Sequence, residues 1–568
     1  MIKYFNTVIT SFKNHKWLRA YLFIVFLGSL VMLFDCNTQL TTMYGDMGTY
    51  IPQAMSWAFD GDNIFDQNDL ERFCETVSAN GPGGLFLNEH NNIYYYSKPM
   101  LYGIIISPLV KLLGINGILV ANVLMFVGMI FLIAYYLKQY NTTKLSFIFT
   151  IPFFCCSLML PYLFIAHADI FLAFMLCVLL FSLQQFKYYT ERENKKLSQR
   201  WLYIMGILQG LCIYQRSPLI FFAAAIFFSL IIKKNYKQAY QFFLISLIPF
   251  IIFTFIQFSQ TGSFSCYSGT RYYVSDILGG LNSSIDNLKL KKMSTDEMSI
   301  FSRITSTIRN PKSLIYNFMY YFIGRQTGIF IYAPFILCIL IMIRTSLTKN
   351  YEILLGIIGF VFFFFFENPR NYFGGAQSFG NRYFLQIMPA FCFLLTTINI
   401  RKYTTTGLIA SIGTCIFLGP VIVSPKTWVL NYPTFISERS VMQVFPLERT
   451  LQSTIIWDNK IQYDDKYINL ENCYWPENGL SFWTYGDKTA KMYIESPTEL
   501  NEIRLELAIG DQKEKQLINY PLTSKKEIVD RYFYTVKIDA VPKFWPQKTY
   551  GTEDQRALGV RVTLIDIH

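Results

Sequence analysis

Three groups of residues in this sequence have types and spacings that suit chemistry. The first is Asp46, in the segment Thr42 to Pro52 (TMYGDMGTYIP), about a dozen residues after an apolar run. A carboxylate there offers a general base for a hydroxyl acceptor, because an alcohol must lose its proton as it attacks. The competing expectation is that Asp46 caps a short helix. The second group is cationic: Lys98, Arg216, Arg370 and Arg382, the last two flanking the loop Gly374 to Tyr383 (GGAQSFGNRY). Arg forks and Lys point charges suit a phosphate, although any one of them has the alternative of snorkelling to lipid headgroups. The third is His167 with Asp169, a pair suited to binding substrate or orienting a cation, with helix capping as the plain alternative for Asp169.

These residues must be positioned by elements that are mostly apolar. Of 568 residues, 52% are hydrophobic and only 15% charged, too few charges for an ordinary soluble enzyme. Eleven apolar runs approach the roughly 20 helical residues that cross a bilayer. They lie near 17–34, 115–137, 145–162, 168–186, 201–214, 217–232, 239–260, 326–343, 351–366, 383–399 and 404–424. Gln215 and Arg216, followed by Pro218, mark a tight turn between the fifth and sixth runs, and 99–114 reads as an interfacial helix. With a cytoplasmic amino terminus, every inner segment carries at least two basic residues, for example Lys138 and Lys144, or Arg401 and Lys402. The first outer loop, from 35, is acidic instead, with nine Asp and Glu up to residue 98 against Arg72 and Lys98. The basic excess, 50 Lys and Arg against 38 Asp and Glu, is therefore a signature of membrane topology and excludes nucleic acid as the partner. The three chemical groups then share the outer face, where such cations need a local anion.

After about residue 425 the pattern changes. Period-two alternation in 491–495, 502–509, 531–538 and 558–567 predicts an extracytoplasmic β-sandwich or jelly roll. The chain is thus expected to divide into a membrane domain, 1–424, with its first outer loop at 35–114, and a β-rich domain, 425–568. Most cysteines fall in the apolar runs as small fillers, and a Cys36–Cys74 disulfide is one reading of the outer pair. Histidines at 15, 90, 167 and 568 form no ligand cluster.

The order of motifs resembles the GT-C membrane glycosyltransferases. The acidic loop with Gly45, Asp46 and Tyr50 is followed by Tyr94 to Pro99 (YYYSKP), Leu101 to Gly114 (LYGIIISPLVKLLG), Ala166 to Phe174 (AHADIFLAF), Gly324 to Pro334 (GRQTGIFIYAP) and 374–389 (GGAQSFGNRYFLQIMP). The protein O-mannosyltransferases and the bacterial aminoarabinose transferase that modifies lipid A come nearest, over roughly 17–424. The resemblance implies an enzyme of the cell envelope and inner (plasma) membrane. It would move a sugar, a hexose or pentose, from a polyprenyl-phosphate donor to a hydroxyl on a glycan, lipid or protein acceptor. By position, Asp46 matches the general base, Lys98 a cation on the carrier phosphate and Asp169 a supporting acid; Tyr50 and Tyr96 lie in the matching motifs. Many relatives carry a second acid directly after the base, whereas here Met47 follows, so no obligatory metal is expected.

Two other function classes use similar parts. A lipid-linked sugar flippase or transporter would place polar groups within the membrane, but it ordinarily shows two related halves, which this sequence lacks. An envelope polysaccharide polymerase or ligase would share the lipid-linked donor and the long outer loops. In the β-rich domain, Trp475, Trp483 and Trp545 suit either sugar stacking or a sandwich core.

Overall fold

The computed structural model describes residues 16–35, 46–77, 84–268, 270–274, 290–292, 304–305, 308, 311–343, 348–369, 372–374, 379–423, 441–446, 448, 460–463, 466–474, 480–509, 515–522, 525–528, 531–539, 546 and 558–568. Its helices are α1 (Lys16–Asp35), α2 (Met47–Phe59), α3 (Gln67–Thr76), α4 (Leu101–Leu113), α5 (Asn116–Lys138), α6 (Thr143–Cys155), α7 (Asp169–Glu191), α8 (Lys195–Gln215), α9 (Ile220–Ile232), α10 (Tyr236–Thr261), α11 (Pro311–Ile323), α12 (Ile329–Tyr332), α13 (Ile336–Met342), α14 (Tyr351–Glu367), α15 (Arg382–Phe393) and α16 (Ile400–Gly413). The chain forms two compact units, one of 1–297, 332–363 and 382–430, the other of 298–331, 364–381 and 431–568.

In the first unit, four helices among the described residues are long and apolar enough to cross a membrane: α5, α7, α10 and α16 with its continuation to Val423. Buried apolar surface alone does not account for them. In the most apolar stretch of α10 only 22% of residues are buried, and Ile248, Ile251, Ile252 and Phe255 stand exposed. A helix greasy on every side with one side uncovered is stable only where the solvent is hydrocarbon, so this is a membrane protein. Its inner side lies against α8 with no room between the backbones. A Cβ at Gly210 would sit 2.1 Å from the Ser246 carbonyl oxygen.

Two expected spans are broken. The run at 145–162 is helical only to Cys155; a turn follows, then a 3-10 segment, Pro161–Phe164. The run at 326–343 is split into α12 and α13 around Ala333 and Pro334. Pro334 lacks the N–H that would continue a helix, which explains the second interruption. The turn after Gln215 is as expected: α8 stops there, and Ser217–Leu219 leads into α9.

A four-stranded antiparallel sheet, absent from the sequence reading, is formed by segments 85–96, 271–274 and 290–292 of this unit. Its order is β2-β1-β3-β4, from β1 (Leu85–His90), β2 (Ile93–Tyr96), β3 (Arg271–Val274) and β4 (Leu290–Lys292). Asn91 and Asn92 both take positive φ, 53° and 61°, which a two-residue hairpin turn of this twist requires. Phe65, Leu70, Cys74, Leu85, Leu87, Tyr96 and Val274 form the core between the sheet and α3. Helix α2 is tied to this layer through Thr49, whose hydroxyl accepts from Phe86 N at 2.8 Å, and through Gln53, which donates to Asn63 Oδ1 and to the Lys98 carbonyl. Cys36 lies outside the described residues.

In the second unit, strands β5 (Lys460–Tyr463), β6 (Lys466–Glu471), β7 (Ser481–Tyr485), β8 (Ala490–Ser496), β9 (Glu502–Ile509), β10 (Gln516–Pro521), β11 (Lys525–Ile528), β12 (Arg531–Ile538) and β13 (Leu558–Ile567) form two antiparallel sheets. Their orders are β10-β9-β13-β7 and β11-β12-β8-β6-β5. Ile468, Met492, Ile494 and Val536 of one meet Phe482, Leu505, Val562 and Leu564 of the other in one core, which makes a sandwich. Trp483 is buried, so its ring is not an open sugar platform; Trp475 and Trp545 lie outside the described residues. Before the sandwich, Glu448 docks on the turn after α11, where its Oε1 accepts from Gln326 N, Thr327 N and Thr327 Oγ1.

Candidate active site

Asp46 occupies the N-cap position of α2, yet its side chain makes no capping hydrogen bond. The capping expectation therefore fails. The backbone carbonyl of Asp46 accepts from Thr49 N and Tyr50 N, and the carboxylate turns instead toward Lys98, Arg382 and His167. Lys98 Nζ donates to Oδ1 at 2.5 Å, while Arg382 Nη2 lies 3.1 Å and His167 Nε2 3.2 Å from Oδ2. The side chain is only 17% exposed. Burial by itself would push its pKa up, but Lys98, Arg382 and His167 more than offset this and hold it well below the usual carboxylate range. Asp46 is thus an ionised carboxylate near neutral pH.

Each partner is held by its own element. Lys98 follows β2, and Gln53 of α2 grips its carbonyl at 3.0 Å. Its ammonium lies over three rings, Phe86 at 4.9 Å, Tyr50 at 5.6 Å and Tyr267 at 5.7 Å. Burial lowers its pKa, and Asp46 counters that shift. His167 precedes α7, in a stretch fixed by Asn122 of α5, which donates to the Leu163 and Ile165 carbonyls. Tyr50 meets the His167 ring edge-on at 4.9 Å, and burial pushes its phenol far up, so the hydroxyl stays protonated. Asp169 opens α7 without capping it. Its Oδ1 accepts from Gln386 Nε2 at 2.7 Å, and its Oδ2 lies 2.7 Å from His167 Nδ1 and 3.7 Å from Arg382 Nε.

Asp46, Lys98, His167, Asp169, Arg382 and Tyr50 are therefore brought together from segments up to some three hundred residues apart. Arg216 lies beside them, its guanidinium 4.3 Å from the centre of the Tyr383 ring. Tyr96 is not in the cluster: its hydroxyl donates to Asp69 Oδ2 at 3.0 Å inside the small core between the sheet and α3, where it packs on Phe65. Arg370 lies outside the described residues.

Arg271, Tyr267 and Gln386 belong to the site although the sequence reading did not select them. Arg271, on β3, donates through Nε to Ser97 Oγ at 2.7 Å and lies over Phe86 at 4.6 Å and Tyr267 at 5.3 Å. It thus shares two rings with Lys98 and has no acidic partner among the described residues. Lys98, Arg216, Arg271 and Arg382 face two carboxylates, Asp46 and Asp169, which leaves a cluster with net positive charge, suited to an anion. Among the described residues no three of His, Cys, Asp and Glu converge as a metal-ligand set.

No protein-family model matches the chain, and no curated protein does. Among solved structures it is similar to the crystal structure of ArnT from Cupriavidus metallidurans in the apo state. That match has 12% identity and a TM-score of 0.43, over 72% of this chain and 65% of that one. The chain therefore spans slightly less than two thirds of that structure's length. A likeness at this level decides neither reaction nor substrate, and the functional reading rests on the side chains themselves.

Proposed function

We propose that this chain is a membrane glycosyltransferase that moves a sugar from a polyprenyl-phosphate donor to a hydroxyl acceptor on the outer face of the membrane. The observation that carries this reading is the Asp46 carboxylate, which is half-buried, ionised and free of any capping role, within a cluster of side chains with surplus positive charge. A base next to an anion site is what displacement of a phosphate by an alcohol needs. The acceptor oxygen forms its bond to the anomeric carbon as the bond from that carbon to the phosphate oxygen breaks. The hydroxyl proton goes to Asp46, and the electron pair leaves with the phosphate.

The donor is a phosphodiester with one negative charge, and the departing polyprenyl phosphate gains a second. Lys98, Arg271 and Arg216 oppose that growing charge, so they stabilise the transition state more than the bound donor. The apolar helices of the same unit suit the polyprenyl chain, which stays in hydrocarbon while its phosphate reaches the cluster.

The test uses the purified full chain in vesicles made from the total lipid extract of the producing cell, with its envelope fraction added as acceptor. Release of 32P-labelled free polyprenyl phosphate is the expected result. A flippase would relocate the labelled lipid without releasing it, and a polymerase or ligase would release a polyprenyl diphosphate.

A further inference from the structure

The ring of His167 is set between two carboxylates. Nε2 lies 3.2 Å from Asp46 Oδ2, and Nδ1 lies 2.7 Å from Asp169 Oδ2, without the alignment of a full hydrogen bond. A neutral imidazole has one N–H and one lone pair, so it can serve only one of these neighbours as a donor. Arg382 resolves the other side. Its fork places Nη1 3.0 Å from His167 Nε2 and Nη2 3.1 Å from Asp46 Oδ2, holding two acceptors side by side. In that state the ring proton is on Nδ1, toward Asp169, and Nε2 takes a second proton only as the bond from Arg382 Nη1 breaks, which leaves an N–H on Nε2 facing Asp46 Oδ2.

Asp46 is a poor final resting place for a proton. The cations that keep it ionised also make it a weak base, and they remain beside it after it has been protonated. An imidazole binds a proton more tightly than a carboxylate.

We infer that His167 is the terminus of a two-step proton relay in which Asp46 takes the hydroxyl proton of the acceptor and passes it from Oδ2 to His167 Nε2. The inference rests on the reading of Asp46 as the base. The proton then lies on an imidazolium whose Nδ1–H faces Asp169, itself fixed by Gln386. Asp46 returns to its ionised form, and His167 gives the proton to water once the products have left. Every group packed on the ring fits this role: Asp46 and Tyr50 from α2 and its cap, Asp169 from α7, Arg382 from α15, with Lys98 on the far oxygen of Asp46. His167 acts through Asp46 and does not touch the sugar.

The test measures the pH dependence of polyprenyl phosphate release in the same vesicles for the unaltered chain and for His167→Asn, His167→Ala, Asp169→Asn and Asp46→Asn, each checked for folding by its melting temperature. The relay predicts that His167→Asn loses at least about tenfold of kcat/KM at neutral pH, less than the roughly hundredfold minimum for losing the first proton acceptor, and that its acid limb moves to lower pH. Asp169→Asn, which keeps the ring in place, moves the limb in the same direction. Added imidazole restores release in His167→Ala and leaves Asp46→Asn unchanged. Unaltered rate and acid limb in His167→Asn, with Asp46→Asn inactive, overturn the relay alone. Normal release by Asp46→Asn overturns the base reading itself.

Discussion

Replacing Asp46 by Asn is the sharpest perturbation of this site, because it preserves size and capping ability and removes only charge and basicity. The carboxylate now satisfies Lys98 with Oδ1, and Arg382 and His167 with Oδ2. An amide keeps one of these acceptors and turns an NH2 donor toward the other side, where Arg382 also donates. One charge-assisted contact is then lost outright, roughly 2 kcal/mol of stability. Arg382 still has Asp169 at 3.7 Å, so the variant remains folded. The stability difference from the unaltered chain carries a pH signature. The folded-state pKa of Asp46 lies well below its unfolded value, so the difference is present above about pH 4 and disappears as pH falls through the depressed value. Transfer falls by at least about a hundredfold, near 2.7 kcal/mol in the barrier, as expected when a general base is removed. Binding of polyprenyl phosphate to the vesicles' protein, measured separately, is retained. Near-normal transfer by a folded Asp46→Asn chain refutes the reasoning.

The cationic cluster predicts that Lys98→Ala and Arg271→Ala each weaken polyprenyl phosphate binding by about tenfold or more, since a charge-assisted contact is worth roughly 1.5–3 kcal/mol; unchanged affinity in both would make them structural cations. Asp69 is pushed up to about 7, by burial first, so the folded chain holds a proton there that the unfolded chain releases near pH 4. Its contribution is full below that pH and lost as pH rises through about 7, so Asp69→Asn flattens the fall in melting temperature across this window. For Glu448, Gln can keep the three bonds made through Oε1, whereas Ala strands the buried N–H groups of Gln326 and Thr327. Denaturation should therefore show Glu448→Gln close to the unaltered chain and Glu448→Ala destabilised by roughly 1–3 kcal/mol per stranded group.

The sequence was most legible where a local period carries the information. The alternation at 502–509, 531–538 and 558–567 became β9, β12 and β13 with the same bounds. Hydropathy also located the long helices, but it counts apolar residues and does not see the turn after Cys155 or the break at Pro334. In the site, Asp46, Lys98, His167, Asp169 and Arg382 stood out because an ionisable group beside an apolar run is costly without a partner. Arg271 gave no such signal. Its place depends on β3 pairing with β1, and no local pattern reveals a partner so far away in the chain. Tyr96 came with the motif Tyr94 to Pro99, but β2 ends at Tyr96 and the hydroxyl goes to Asp69, while Lys98 lies beyond the strand.

Ser97 and Arg271, joined across the small sheet, are 174 residues apart. At a synthesis rate of about 5–20 residues per second, the ribosome delivers Arg271 roughly ten to thirty-five seconds after Lys98. During that interval Asp46 and Lys98 can already neutralise each other, and Arg216 is made before Arg271 arrives. Competence arrives late and in two stages: β3 adds Arg271 beside β1, and Arg382, later still in the chain, closes on a carboxylate already paired with Lys98.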